Sequence, residues 1–193
     1  MAYTSGVCGL TAGRNEVCKE SIGGIQGVYF LNFTGSVPSQ QLFTKNASDE
    51  ITGFPSGSVV YYYQLKGSSA YTETVNTSRT NGTTFFSQAV TLNLKKLTNE
   101  MTTQLKLMAY GRPKIIVWTN NGDALLLGEN LGCDVTAGTI QTGGALGDLY
   151  GYSITLTGME KLPAAFISGS STSSPFGFVS PAPTVTYGTN ASA

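Results

Sequence analysis

The chain has 193 residues, of which only 11 are basic and 11 acidic, and it contains no histidine. Hydrolytic, transfer and metal chemistry near neutral pH usually depends on a side chain that titrates there, most often histidine, so this composition disfavours an enzyme. So little surface charge is also unusual for a freely soluble monomer. The composition therefore predicts a β-rich structural or assembly protein.

The length is sufficient for one domain with a sizeable core. Nucleic-acid readers and membrane-surface proteins usually carry a basic patch. The only adjacent basic pair here is Lys95-Lys96, which we interpret as a solvated strand end. The apolar stretches are too short to span a bilayer, and residues 1–6 lack the pattern of a secretory signal. We therefore expect folding in a cytosol and no membrane partner.

Three cysteines, Cys8, Cys18 and Cys133, leave one thiol unpaired in any disulfide scheme. Without histidine they are also too few for the usual zinc site of four Cys or His ligands. Reduced, packed thiols are the preferred interpretation, and Cys133 is predicted to be a small core residue.

Residues 1–26 are predicted as an N-terminal segment with one short helical candidate at residues 14–21, which two glycines would end. Residues 28–33 follow as a strand rich in aromatic and branched side chains, and their nearly continuous apolarity predicts burial on both faces. Residues 35–57 are polar and lack periodicity, so we expect a long loop with room for one short strand.

Three strands are predicted next, at residues 58–66, 70–79 and 83–94. Asn81-Gly82 separates the last two, and this dipeptide favours the positive dihedral angles of a two-residue hairpin turn. The sequence therefore predicts a three-stranded antiparallel unit over residues 58–94.

An amphipathic helix is predicted over residues 98–109. Thr98 can cap its start, and Glu100 suits the positive end of the helix dipole. Four apolar side chains fall on one side at helical spacing: Leu97, Met101, Leu105 and Met108. We expect this side to lie on a sheet and close the core.

Strands resume after the helix, and they are predicted at residues 114–119, 124–128, 134–141, 150–158 and 162–167. The sequence thus indicates a single β-rich domain over residues 27–168.

Residues 169–193 are rich in Ser, Thr, Gly and Pro and are predicted to be a flexible or inter-subunit arm, because such a segment buries too little apolar surface to order by itself. We expect that at least one of two segments, this arm and the 35–57 loop, orders only against a neighbouring subunit. The expected anchors are the large apolar residues of the two segments: Phe43, Phe54, Phe176 and Phe178.

The only local concentration of carboxylates consists of Asp123, Glu129, Asp134 and Asp148. Two of them could act as acid and base in a glycosidase, or several could bind calcium, but each lies beside a glycine-rich turn, where Asp commonly bonds the local backbone.

The glycine-rich stretches at residues 9–13 and 143–147 lack the Lys-Ser/Thr and long helix of a phosphate loop. We therefore predict no catalytic, cofactor-binding or metal-binding residue, and no cofactor.

A series of short motifs orders the second half of the chain: Tyr110-Gly111-Arg112-Pro113-Lys114-Ile115-Ile116-Val117, Asn121-Gly122, Leu126-Leu127-Gly128, Gly132-Cys133-Asp134-Val135, Gly138-Thr139, Thr142-Gly143, Gly147-Asp148, Gly151-Tyr152, Leu156-Thr157-Gly158 and Glu160. Together with Gly13-Arg14-Asn15, Cys18-Lys19 and Gly23-Gly24-Ile25, this series resembles structural proteins of tailed bacteriophages. That group includes tail-tube and tail-ring components, among them ring proteins of crAss-like phages. The resemblance covers residues 10–168 and consists of turn glycines rather than a chemical signature.

The resemblance implies a mostly β fold, either an antiparallel β-sandwich or a small barrel, with one packed α-helix. It implies a virion protein of the tail or head–tail connector that is assembled in the host cytoplasm. Copies of the chain would form a six- or twelve-fold ring around the DNA channel, and their other partners would be adjacent tail or portal proteins. Open strand edges and sparse charge suit such an assembly, because a closed ring pairs every edge.

The alternative is a carbohydrate-binding β-sandwich module. It requires Tyr61, Tyr62 and Tyr63 to converge with Trp118 and the turn carboxylates, since sugars stack on exposed aromatic rings. Because these tyrosines lack flanking basic residues, we expect them instead to divide between the core and a subunit interface.

Overall fold

The structure, a computed structural model, describes residues 12–16, 19–33, 43–66 and 68–188. In chain order its elements are β1 Ile25–Leu31, β2 Thr44–Lys45, β3 Ile51–Gly53, β4 Val59–Gln64, β5 Ala70–Ser78, β6 Thr83–Lys95, α1 Asn99–Tyr110, β7 Lys114–Thr119, β8 Ala124–Leu127, β9 Cys133–Gln141, β10 Gly151–Glu160, β11 Ala165–Phe166 and β12 Thr184–Tyr187.

Two main sheets pack face to face. The six-stranded sheet has the order β11-β8-β7-β1-β4-β12, and the four-stranded sheet has the order β5-β6-β10-β9. Neighbouring strands are antiparallel in both sheets, except that β12 runs parallel to β4. Strands β2 and β3 form a separate short pair. The expected mostly β architecture with one helix is confirmed as a sandwich, and the described strands do not close into a barrel.

Two hydrophobic clusters lie on opposite faces of the six-stranded sheet. Val28 and Phe30 of β1 point into the cluster between the two sheets, which also contains Leu92 of β6 and Ile154 of β10. The residues that alternate with them, Tyr29 and Leu31, belong to the second cluster on the far face. The predicted two-sided burial of this segment is therefore confirmed, and it explains why the strand is apolar at successive positions.

Helix α1 closes one side of the core between the sheets. The Thr98 Oγ1 accepts a hydrogen bond from the Met101 N–H at 3.1 Å, so the predicted cap is confirmed. The hydroxyl of the fully buried Tyr152 donates to the Thr98 carbonyl at 2.9 Å and so ties the cap to β10. The four predicted apolar positions all pack on the core between the sheets: Leu97, Met101, Leu105 and Met108.

The predicted three-stranded unit over residues 58–94 is wrong. Strand β4 pairs with β1 and β12 in the six-stranded sheet, whereas β5 and β6 pair in the four-stranded sheet. The hairpin between β5 and β6 does form, but Ser78 pairs with Thr83, so its turn has four residues rather than two. Apolar patterning identifies a strand, but it does not identify the neighbour with which that strand pairs.

Two local predictions also fail. The described residues of the helical candidate, 14–16 and 19–21, have no helical conformation and are exposed, so no buried apolar face supports a helix there. The expected long loop contains two strands over its described part, β2 and β3, and Ile51 and Phe54 are buried in the second cluster. Residues 35–42 of that loop lie outside the described residues.

The C-terminal segment differs most from expectation. Residues 169–188 fold onto their own chain rather than extending as an arm. Within this segment, β12 adds to the edge of the six-stranded sheet and Val179 is buried. Three of the four expected anchors pack on the second cluster of the same chain: Phe43, Phe54 and Phe176. Phe178 remains 80% exposed. Residues 189–193 lie outside the described part.

The helix offers a matched test of its buried side. We expect Leu105→Ala to lower the free energy of unfolding by about 2 kcal/mol, the lower end of the range for buried leucines, because the side chain is only partly covered. The control is Leu107→Ala on the same helix, where the side chain is 61% exposed. This variant should change the free energy of unfolding by less than about 0.5 kcal/mol. Equal losses in chemical denaturation would contradict this packing.

A second pair of variants tests the C-terminal segment. The Phe176 ring lies 5.2 Å from the Tyr29 ring and 5.6 Å from the Phe54 ring, centroid to centroid. We expect Phe176→Ala to destabilise the monomer by about 3 kcal/mol, whereas Phe178→Ala should change its stability by less than about 1 kcal/mol. If thermal unfolding of the monomer were insensitive to Phe176→Ala, the segment would not belong to the core.

Candidate functional site

The turn carboxylates do not come together. Glu129 forms an ion pair with Lys45 at 2.8 Å, Asp134 lies 3.5 Å from Arg112, and Asp123 sits in the turn between β7 and β8. Asp148 lies in the loop between β9 and β10. Over the described ranges, no three Cys, Asp or Glu side chains are grouped closely enough to hold a metal ion. The glycosidase and calcium interpretations therefore have no support in the described geometry.

Asp148 stabilises its own turn, as the sequence predicted. Its Oδ2 accepts hydrogen bonds from the Gly144 N–H at 2.8 Å and the Ala145 N–H at 2.7 Å. These backbone donors, that of Ala145 first, hold the pKa of the fully exposed Asp148 carboxyl below its usual value. Both of these bonds go to Oδ2 rather than Oδ1.

The tyrosines and Trp118 do not form a sugar-stacking platform. Tyr63 packs on the cluster between the sheets, whereas Tyr62 packs on the cluster of the far face, because successive side chains of β4 point in opposite directions. Trp118 is buried, and its indole N–H donates to the Ser171 carbonyl at 2.9 Å. Tyr61 is 39% exposed and belongs to neither of the two clusters.

The thiol that the structure describes is inert. Cys133 is buried at the start of β9, where its sulfur lies beside Gly128 and Gly158, and burial raises the pKa of its thiol to about 12. The thiol is therefore protonated and unreactive near neutral pH. Its prediction as a small core residue is confirmed, while Cys8 and Cys18 lie outside the described residues.

A buried lysine is the main feature that sequence reasoning missed. Lys114 is 1% exposed, and its ammonium donates to the Glu129 carbonyl at 2.7 Å. The same nitrogen lies 4.8 Å from the centre of the Phe43 ring and 5.5 Å from that of Phe33. Burial lowers the Lys114 pKa to about 8, against the opposing attraction of Glu129 and Glu160. Lys114 thus joins β7 to the turn after β8 and to both aromatic rings, which is a structural role.

A second missed network positions strand β5. Glu73 Oε1 accepts from the buried Gln88 side-chain N–H and from the Ala164 N–H, each at 3.0 Å, and Oε2 accepts from the Tyr71 hydroxyl at 2.9 Å. Gln88 in turn accepts from the Gly128 N–H at 2.9 Å. These bonds fix the inner face of β5 against the rest of the sandwich. The outer edge of the strand is therefore held in a defined position.

The four-stranded sheet has open edges on both sides. Strands β5 and β9 are its outermost strands, and each has nine residues. Most residues of both strands are exposed, and no other described strand pairs with their outer edges. Such edges present unpaired backbone N–H and C=O groups and invite pairing with another chain. They are the strongest candidate for a functional surface in the described chain.

The solvent face of the same sheet is uncharged over most of its area. Hydroxyls bond across the strands, since Thr91 lies 3.2 Å from Thr155 and Thr136 lies 3.0 Å from Thr157 between their side-chain oxygens. By alternation from the strand registers, the described charges on this face are Lys95 at one end and Asp134 at the other. Small hydroxylated side chains cover the area between them.

Comparison with known proteins gave no relative: no family model, no curated protein and no solved structure matches the chain. The fold and the surface must therefore be interpreted from their own geometry. In the part of the chain that the structure describes, no helix has the length and apolarity needed to cross a membrane.

Lys114 predicts a specific pH dependence of stability. Its pKa is about 8 in the folded chain and near 10.5 without burial, so between these values the unfolded chain binds more protons and stability rises with pH. We expect the wild type to gain about 1–3 kcal/mol relative to Lys114→Met between pH 8 and 10.

The comparison with Lys114→Met is needed because the pKa values of Tyr29, Tyr71 and Cys133 are raised in the folded chain, and these groups lower its stability as pH rises in the alkaline range. Lys106→Met on the exposed side of α1 is the control. A wild-type minus Lys114→Met difference that stays constant from pH 7 to 10 in urea titrations would show that Lys114 is not desolvated.

Proposed function

We propose that the chain is a structural, non-catalytic subunit of a tailed bacteriophage virion, in which copies form a closed ring of the tail or head–tail connector around the DNA channel. The observation that carries the proposal is the pair of open edges of the four-stranded sheet, β5 on one side and β9 on the other. The resemblance in the turn motifs adds the phage context.

Strand direction makes these two edges compatible. Neighbouring strands of the order β5-β6-β10-β9 are antiparallel throughout. With an even number of alternating strands, β5 and β9 run in opposite directions, so β9 of one copy meets β5 of the next as an antiparallel pair. The contact joins two different surfaces, and repeating it closes a ring when the rotation between neighbouring copies divides a full turn.

Such a ring would enclose a channel. Six copies of the four-stranded sheet would supply roughly 24 strands, more than the 16–18 strands of porins that already leave an aqueous channel. The hydroxylated face between Lys95 and Asp134 is a suitable lining, because affinity for DNA phosphates comes mainly from Lys and Arg. DNA could pass along this face without being retained.

The proposed partners are other copies of the chain, in six- or twelve-fold symmetry, and adjacent tail or portal proteins. The proposed location is the virion tail, after assembly in the host cytoplasm. The carbohydrate-binding alternative receives no support from the described residues, because its aromatic side chains divide between two faces of the six-stranded sheet.

Proline substitution in β9 tests the edge contact. Gly138 and Thr139 are adjacent and exposed, and they pair with Ile154 and Ser153 of β10. Successive residues of an antiparallel strand point their N–H groups to opposite sides. One of the two variants, Gly138→Pro or Thr139→Pro, therefore removes only an outward N–H. We expect that variant to keep the wild-type melting temperature and to lose ring formation.

The wild type should form discrete closed rings in negative-stain electron microscopy and native mass spectrometry at high concentration. The control is Asn99→Pro at the first position of α1, where proline is tolerated, and it should still form rings. The proposal fails if the wild type stays monomeric both alone and in purified virions, or if both β9 variants fold and assemble normally.

A further inference from the structure

The β5–β6 hairpin projects beyond the rest of the four-stranded sheet. The last pairing of β10 joins Glu160 to Phe86, and past this point β5 and β6 pair only with each other. Val75 is 58% exposed and Phe85 is 38% exposed on this projecting part. A two-stranded ribbon is marginally stable in water by itself, so residues 75–86 form a surface suited to being covered.

A cleft lies at the opposite end of the same sheet. It is an open depression of about 590 Å³ beside the loop between β9 and β10, bounded by Ile140, Gln141, Leu149 and the loop residues between them. Asp148 is the only charged residue that lines the cleft. Its Oδ2 is occupied by the Gly144 and Ala145 N–H groups, and no described residue bonds its Oδ1.

The hairpin and the cleft are complementary in charge and position. Arg79 at the hairpin tip is the only charged residue in 75–86, and it forms no ion pair with any described residue. Strand β6 runs from the hairpin to the cleft end, because Thr83 pairs with Ser78 and Lys95 pairs with Gly151. Its 13 residues span about 40 Å. A shift of one copy by about that length along the strands brings its hairpin tip to the cleft of the next copy.

We propose that the 75–86 hairpin docks into the 140–149 cleft of a second copy, where the Arg79 guanidinium bonds Asp148 Oδ1. The contact is head-to-tail and can repeat without limit along one axis. That the stacked units are rings rests on the proposed function, whereas the hairpin contact does not. Val75 pairs with Phe86, so Val75 and Phe85 point to opposite faces of the hairpin. One of these two side chains then lies against the apolar residues Ile140 and Leu149 at the mouth of the cleft.

Charge reversal provides the test. Arg79→Glu places a carboxylate against Asp148, and Asp148→Arg places two guanidinium groups together, so each variant alone should need at least about ten times more protein to stack. An equimolar mixture should stack as the wild type does, because both the Glu tip with the Arg cleft and the Arg tip with the Asp cleft are complementary pairs. The rescue also shows that the Asp148→Arg loop remains folded.

Stack length is measured by sedimentation velocity and electron microscopy, with Lys106→Glu on the exposed side of α1 as a control of equal charge change. Arg79→Glu should still give single closed rings, and their absence would count against the ring proposal rather than the hairpin contact. The hairpin contact is overturned if Arg79→Glu stacks like Lys106→Glu, if the mixture shows no rescue, or if the wild type forms no axial contact at any concentration.

Discussion

Burial of the six-stranded sheet on both faces is the constraint on which the structure depends. Strands β1 and β7 are covered on one side by the four-stranded sheet and α1, and on the other by β3 and the C-terminal segment. Each covering layer contacts side chains that the layer on the other side cannot reach, because successive residues of a strand point to opposite faces. The four-stranded sheet, in contrast, is covered on its inner face alone. It therefore keeps a wet face and two open edges, and these are the features available for assembly.

Several carboxylates of the described chain hold loops in place. Glu160 accepts from the Asn130 and Leu131 N–H groups at 2.7 and 2.8 Å, Glu73 holds the segment before β11, and Glu129 meets Lys45. Such charge-assisted bonds are stronger than neutral ones and fix geometry more tightly. With these carboxylates bonded inside the chain, the open face of the four-stranded sheet is left nearly free of charge, and the proposed contact between copies would desolvate few ions there.

The sequence predicted most elements because their signals are local. Thr98 and the spacing of Leu105 and Met108 defined the helix, and apolar patterning located the long strands of both sheets. Prediction from the sequence failed where paired strands or packed side chains are distant in the chain. Val59 to Gln64 reads as a strand, yet nothing local indicates that it pairs with β12, and the polar composition of residues 169–188 conceals how closely Phe176 and Val179 pack. The network around Lys114 was equally hidden, because a lone lysine before an apolar strand normally indicates a strand end in solvent.

The parallel pairing of β12 with β4 has a consequence for synthesis. Chains emerge from the ribosome in order from their N-terminal end, and their domains fold as units. Strand β12 follows every other described strand in the chain, yet it completes the cover over Tyr62. The aromatic face of the six-stranded sheet thus stays incompletely covered at Tyr62 until β12 has been synthesised. A chain that ends before β12 leaves the Tyr62 ring exposed on that face, where exposed apolar surface favours aggregation.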